Sequence, residues 1–339
     1  MTECKLIAMD TSKHVFTLHG VDAQGRAVLR RELRRQQVEP FFEKLPPTEV
    51  ALEACGGSHH WGRRLTALGH RVRLIPPQYV KPFVKRGKND YADAAAISEA
   101  ARRPEMNFVP VKSAAAQAEA MILSVRELLV KQHTQLVNAL RGHAAEFGVT
   151  AAKGTGHVAA LLERLAGDPA VPEPAQAMFV ELGERIGELA TRLAALERKL
   201  ARLHKTNPVS QLLAKVPGIG PIGALTLAMT VDASQFKSGR HFAAWLGLTP
   251  KQNSTAGKPR LGGISRQGNE RLRQLLVLGA TSVIKLVKPG HRQASAWLLG
   301  LVQRRPRKVA AVALANKMAR VVWAMMTSGE VYRPQPAAG

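Results

Sequence analysis

Cysteine is scarce in this chain: Cys4 and Cys55 are the only two in 339 residues. That excludes a disulfide framework and a cysteine-based zinc site, and it suits a reducing, cytosolic compartment. Aromatic residues make up only 5% of the sequence, so base stacking on aromatic platforms is not the main expected binding mode. No run of about 18 apolar residues occurs, and no membrane span is expected. The opening stretch MTECKLIAMD lacks the basic start and long apolar core of a signal peptide. Acids are few as well: 25 Asp and Glu stand against 49 Lys and Arg, a net charge of +24. Such an excess favours a polyanion through counterion release, which makes nucleic acid the expected partner and backbone phosphates the expected contacts.

What is present is a hydrophobic share of 45%, enough for packed domains, in a chain too long for one ordinary core. Residues 1–108 alternate strand and helix signals. KLIAMD is a short apolar run ending in an acid; VFTLHGVDAQGRAVLRREL reads as a hairpin turning at Asp22–Gly25; EVALEA and RVRLIPP are further apolar runs, with helical stretches between and after them. The pattern predicts an α/β domain with a mixed sheet. Residues 109–207 read as helical. From Phe179 to Leu203 apolar residues recur in alternating steps of three and four, an a/d seam that fits either a helical hairpin within the chain or a coiled coil between protomers. Residues 208–330 form a mainly α-helical third region with Gly-rich loops and a final helix from about Arg307, followed by a tail at 331–339.

The scarce acids have a telling distribution. Asp10 ends the first strand, Glu53 lies in a later strand, and Asp90 and Asp93 open a helix in the order strand-Asp, strand-Glu, Asp-x-x-Asp. A carboxylate at the core of a sheet covered on both faces is costly unless it is paired or holds a metal. Four converging acids would form an all-oxygen cage suited to Mg²⁺ or Mn²⁺, and such a cage can serve phosphodiester chemistry. The structural alternative is that Asp90 caps its helix, with Asp93 in a capping-box position.

Three other stretches carry chemistry. VPGIGPIGA resembles the hairpin of helix-hairpin-helix modules, with Gly218 and Gly220 able to turn backbone N–H groups toward a phosphate; a plain turn between packed helices is the alternative. LTPKQNSTAGKPRLGGISRQGN combines Gly, hydroxyls and the cations Lys251, Lys258, Arg260 and Arg266, and reads as a phosphate-binding loop in which spacing alone names no nucleophile. The cluster Arg304, Arg305, Arg307 and Lys308 precedes a helix bearing Lys317 and Arg320, and Lys88 sits in a second basic stretch with Lys81, Lys85 and Arg86. Both read as phosphate contacts in a chain this basic, although charge runs are often merely solvated faces. His59 and His60 have no partner at metal-ligand spacing.

Taken together, IAMDTSK, ALEACGG, RGKNDYADAAAI, VPGIGPIGA, FAAWLGLTPKQNSTAGK and LGGISRQGNERLR resemble, in order, the DEDD transposases of bacterial insertion sequences, the IS one-ten family and its eleven-eleven group. The resemblance runs from about residue 5 to about residue 325. It implies an N-terminal RuvC-like domain of RNase H fold, Mg²⁺ on Asp10, Glu53, Asp90 and Asp93, and a C-terminal transposase domain supplying a serine nucleophile. It further implies a phosphoserine link to DNA, strand exchange through a Holliday junction and a nucleoid-associated site of action. A structured noncoding bridge RNA would pair with donor and target DNA, and a homo-oligomer, dimer or tetramer, would bring one protomer's acids to another's serine. The family's loop commonly places Ser directly before Gly, whereas here Ser254, Thr255 and Ala256 precede Gly257. The usual serine position falls on Thr255; Ser254 is preferred because a primary hydroxyl is less hindered. A Holliday-junction-type metal-dependent endonuclease without a covalent step, or a non-catalytic nucleic-acid binder, are the rival readings.

Overall fold

The computed structural model describes residues 4–85, 89–287 and 295–333. Lys88 and Arg86, expected to contact phosphate, lie outside the described residues. The chain divides into two compact units, residues 1–118 and 119–339.

The first unit is built on a five-stranded sheet of order β3-β2-β1-β4-β5. β1 (Leu6–Thr11), β2 (Val15–Val21) and β3 (Ala27–Arg34) form an antiparallel meander, each strand opposite in direction to the one before it. β4 (Glu49–Glu53) and β5 (Arg71–Ile75) continue the sheet parallel to β1. The hairpin turn falls at Asp22–Gly25, where Asp22 accepts backbone N–H groups from Gln24 and Arg26. Helices cover both faces, which is why β1 and β4 read as unbroken apolar runs. On one face Ile7, Met9, Val50 and Leu52 pack beneath α1 (Val38–Glu43) and α2 (Ser58–Ala67). On the other, Leu6, Ala8, Ala51 and Ile75 meet the short α3 (Pro77–Val80) and Ala96, Ile97 and Ala100 of α4 (Asp90–Ala101).

The second unit opens with α5 (Ala114–Glu146, whose first residues belong to the first unit), α6 (Val158–Ala166) and α7 (Glu173–Thr206). The a/d seam lies on α7, and both of its ends are covered within the chain. Phe179, Leu182 and Ile186 pack on Val137 and Leu140 of α5 and on Leu161 and Leu165 of α6. Leu200 and Leu203 meet Leu123 and, beyond α8 (Pro208–Leu213), Leu225 of α9 (Pro221–Thr230). Arg126 of α5 donates to Glu197 of α7 at 2.6 Å between them. These ends therefore follow the intrachain reading of the seam.

The remaining elements are α10 (Gly239–Trp245), a two-stranded hairpin of β6 (Pro250–Gln252) and β7 (Leu261–Ile264), α11 (Glu270–Leu286), α12 (Ala296–Arg304) and α13 (Arg307–Ser328). By length and composition α13 is apolar enough to cross a membrane. Yet Ala310, Ala311, Ala315, Met318, Ala319, Val322 and Met325 are buried in the core with Phe242 of α10 and Leu272, Leu276 and Ala280 of α11. Small residues on that face let the three helices approach closely.

Candidate active site

Strand alternation sets the direction of the two sheet acids. Ile7 and Met9 face α1 and α2, so Leu6, Ala8 and then Asp10 face α4. On the neighbouring parallel strand Ala51 faces α4, and so does Glu53 two residues on. Met9 pairs with Leu52, which places Asp10 and Glu53 side by side at the ends of adjacent strands. Thr11 Oγ1 and Cys55 Sγ, 3.0 Å apart, join the end of β1 to the turn after β4.

The helix acids reach the same face from α4. Its cap is Asn89, whose side chain accepts the N–H of Ala92 at 2.7 Å. The capping reading of Asp90 is thereby overturned: Asn89 satisfies the helix end, and Asp90 and Asp93 are left for other work. Carboxylate oxygens of Asp10, Asp90 and Asp93 all lie within 4.8 Å of one another. Glu53 stands beside this trio, its carboxyl pushed up by burial and then by the charge of Asp93. Asp10 is pushed up to about 6, first by burial and then by the charges of Asp93, Asp90 and Glu53. Neighbouring like charges disfavour the ionised forms of Asp10 and Glu53, and a divalent cation would relieve the same repulsion. The donors are all carboxylate oxygens, the set that suits a hard cation rather than zinc, so the residues fit such an ion.

The hydroxyl loop folds as the β6–β7 hairpin. Its tip is a tight turn, with the N–H of Lys258 donating to the carbonyl of Thr255 at 2.9 Å and both Ala256 (φ 46°) and Gly257 (φ 75°) left-handed. That is the handedness of the type I′ turns that match strand twist. Ser254 Oγ accepts two hydrogen bonds, from Gln252 Nε2 and from the N–H of Arg260, each 3.1 Å. Thr255 lies at the turn itself, bridged to Lys258. Lys251, Lys258 and Arg260 are exposed along the hairpin. The base of the hairpin is locked: the N–H of Ser265 donates to Thr249 and that of Arg266 to Gly247, while Arg273 Nη1 donates to the carbonyls of Leu246 and Gln267.

The other expected contacts are distributed through the second unit. Arg304 and Arg305 end α12, and Arg307 and Lys308 open α13, all exposed. Two cations in a first helical turn oppose the helix dipole, and they concentrate positive potential at that end. Gly220 is exposed at the start of α9, whereas Gly218 (φ 88°) is pressed against α11, where a Cβ would lie 2.7 Å from the carbonyl oxygen of Gly279. Its glycine character is thus explained by packing. Asn89 and Gln252 escape a reading of the sequence because a cap or a single amide carries no motif; only their place beside Asp90 and Ser254 gives them meaning.

Residues 7–148 match the family model of DEDD transposases, and residues 210–295 match that of the transposase IS116/IS110/IS902 family. A Sinorhizobium fredii protein named "Putative transposase y4pF/y4sB" is 57% identical over 96% of this chain and 85% of its own length. The chain belongs to the IS110 family of transposases. The IS1111A transposase of Coxiella burnetii is 37% identical over 98% of this chain and 92% of its own. The IS1328 transposase of Yersinia enterocolitica is 36% identical, covering 98% and 99%. The transposase is accordingly a DNA-cleaving and rejoining enzyme. DEDD transposases are typically dependent on a divalent metal, and this transposase has the acidic cluster for one.

Proposed function

We propose that the transposase moves its insertion sequence by Mg²⁺-dependent strand cleavage and exchange, with Ser254 as nucleophile and a structured bridge RNA as guide. The observation that carries this reading is the meeting of Asp10, Asp90 and Asp93 within 4.8 Å on the α4 face, with Glu53 beside them. The strand order 3-2-1-4-5, with acids at the ends of β1 and β4, supports a RuvC-like first domain. The serine hairpin within residues 208–330 supports a separate transposase domain.

In this mechanism Ser254 Oγ attacks a DNA phosphorus. An Oγ–P bond forms, a deoxyribose oxygen leaves and takes up a proton, and the phosphodiester energy is retained in the phosphoserine. A deoxyribose hydroxyl of the exchanged strand then attacks that phosphorus, remaking DNA and freeing the serine. Gln252 and the N–H of Arg260 orient Oγ by donating to it, which favours Ser254 over Thr255 and leaves the hydroxyl proton free to depart. Mg²⁺ on the four acids would neutralise charge developing on the phosphate oxygens. Lys251, Lys258 and Arg260 hold the phosphate. DNA is both donor and target, the bridge RNA pairs with each, the active assembly is a dimer or tetramer, and the setting is the bacterial cytoplasm.

The test is strand exchange on a plasmid carrying the element's ends, with the RNA expressed from its flanks. Ser254→Ala should abolish exchange and the covalent protein–DNA species, while Thr255→Ala retains both. Asp10→Asn and Glu53→Gln should each lower exchange by about 100-fold or more, in the range that removal of one strong transition-state group causes. Normal exchange by Asp10→Asn would overturn the acid site. Hydrolysis that survives in Ser254→Ala would favour a junction nuclease.

A further inference from the structure

We propose that the cleft between α13, β7 and the start of α10 holds an unpaired DNA strand next to the phosphate that the hairpin attacks. The proposal rests on the function above, since it is the hairpin's role that makes the strand DNA. The cleft has a volume of about 1360 Å³, more than the roughly 300–1,000 Å³ of small-molecule pockets. Arg240, Arg266, Lys308, Lys317 and Arg320 line it, and none of the described lining residues is acidic. Gly239 packs directly on the backbone of Arg320, where a Cβ would lie 3.1 Å from its Cα, so α10 brings Arg240 against α13.

The floor is apolar. While one side of α13 is buried in the core, the other side presents Val309, Val312 and Ala313 to the cleft. Val309 is 51% exposed. On the open side these apolar residues lie among Lys308, Lys317 and Arg320 of the same helix, with Arg240 and Arg266 contributed by other segments. The matching ligand needs a chain of negative charge and flat apolar faces together. A duplex stacks its base faces away and exposes only base edges, sugars and phosphates, whereas an unpaired strand offers its base faces together with its phosphates. Trp297 also lines the cleft, 37% exposed, with Lys317 Nζ 4.5 Å above its ring.

Two features tie the cleft to the hairpin. Gly262 and Gly263 of β7 line it without side chains, and that strand follows directly on Arg260, whose N–H bonds Ser254. Arg266 adopts φ 57°, a left-handed conformation that a non-glycine residue keeps only where its surroundings impose it. The hydrogen bond from its N–H to Gly247 helps to hold it there.

The experiment is fluorescence-anisotropy binding of the full-length protein to a labelled oligo(dT), to the matching duplex and to oligo(U), in chelator, across a salt series. Arg320→Gln and Lys308→Gln should each flatten the single-strand salt slope by about 0.7, the share of one phosphate neutralised by one cation. Trp297→Ala should weaken oligo(dT) roughly 5- to 100-fold, the range associated with a single base stacked on an aromatic ring, and Trp297→Phe should restore most of it, which separates stacking from misfolding. Duplex affinity should move less than twofold in Trp297→Ala. Unchanged oligo(dT) binding in all three single-site variants (Arg320→Gln, Lys308→Gln and Trp297→Ala) overturns the proposal, as does an equal weakening on the duplex or a weakening confined to oligo(U). The measurement involves no cleavage and no metal. Normal exchange by Asp10→Asn would therefore overturn the catalytic reading without touching the cleft, and intact oligo(dT) binding in the cleft variants would remove the cleft without touching catalysis.

Discussion

Asp10 occupies a position where burial and three neighbouring acids all oppose its charge, and its carboxyl rises to about 6. Between its ordinary value of 3.8 and about 6 the folded chain keeps a proton that the unfolded chain has released. Stability from this group is therefore full below 3.8 and is lost as pH rises through about 6. A divalent cation competes for the same oxygens as that proton. Adding Mg²⁺ should raise the unfolding midpoint more at about pH 7.5 than at about pH 5, and Asp10→Asn should remove most of that difference. Differential scanning fluorimetry measures it, and an equal Mg²⁺ effect at both pH values would count against a carboxylate site. Asn89 acts on the same cluster at one remove. Asn89→Ala should lower stability by about 1 kcal/mol through loss of the cap and should weaken Mg²⁺ binding by loosening the first turn of α4. Asn89→Ser, which can still cap, should recover both.

At the scale of elements, contacts between backbones decide what side chains are allowed. Gly218 of the α8–α9 turn and Gly279 of α11 touch directly, and a Cβ on Gly279 would lie 1.9 Å from the carbonyl oxygen of Gly218. Gly279→Ala must push the turn away from α11 and should cost about 1–3 kcal/mol, read as a lower urea midpoint, while Gly300→Ala on α12, where no atom lies within 4 Å of the added Cβ, should raise the midpoint slightly, since Ala is favoured over Gly inside a helix by about 0.5–1 kcal/mol. The central strands of the first unit, β1 and β4, were legible in sequence because a sheet covered on both faces demands unbroken apolar runs. The acids closing two of those runs stood out for the same reason. The β6–β7 hairpin was not legible: its strands are short, exposed and rich in Gly and Lys, so no alternation marks them. Nor was the role of Gly218, since a glycine needed for packing and one needed for a phosphate look alike until the partner helix is in place. The seam of α7 could be read as a seam, but which surface covers it depends on residues such as Leu123 and Leu140 that are far away in the chain.

At the scale of the whole molecule, many of the few acids among the described residues are either ion-paired or gathered in the cluster. Glu39 pairs with Arg64, Glu49 with Arg73, Glu99 with Arg102 and Arg103, Glu127 with Lys131 and Arg271, Glu181 and Glu188 with Arg185, and Glu197 with Arg126. Such pairs are mostly exposed and add little stability, and because each joins one charge of either sign they leave the net excess unchanged. The cations of the hairpin and of the 304–308 segment are exposed, and together with those of the cleft they are the groups we propose to meet DNA in a chain whose net charge is +24. Duplex binding should therefore fall steeply with salt. A triple variant, Lys251→Gln with Lys258→Gln and Arg260→Gln, should flatten the duplex salt slope by about 3, close to 0.9 for each phosphate deprived of its cation. Neutralising Arg185, which is already paired with two glutamates, should leave the slope where it was. If the two variants flattened the slope equally, DNA would be responding to net charge alone, and the hairpin would have no privileged hold on the phosphate beside Ser254.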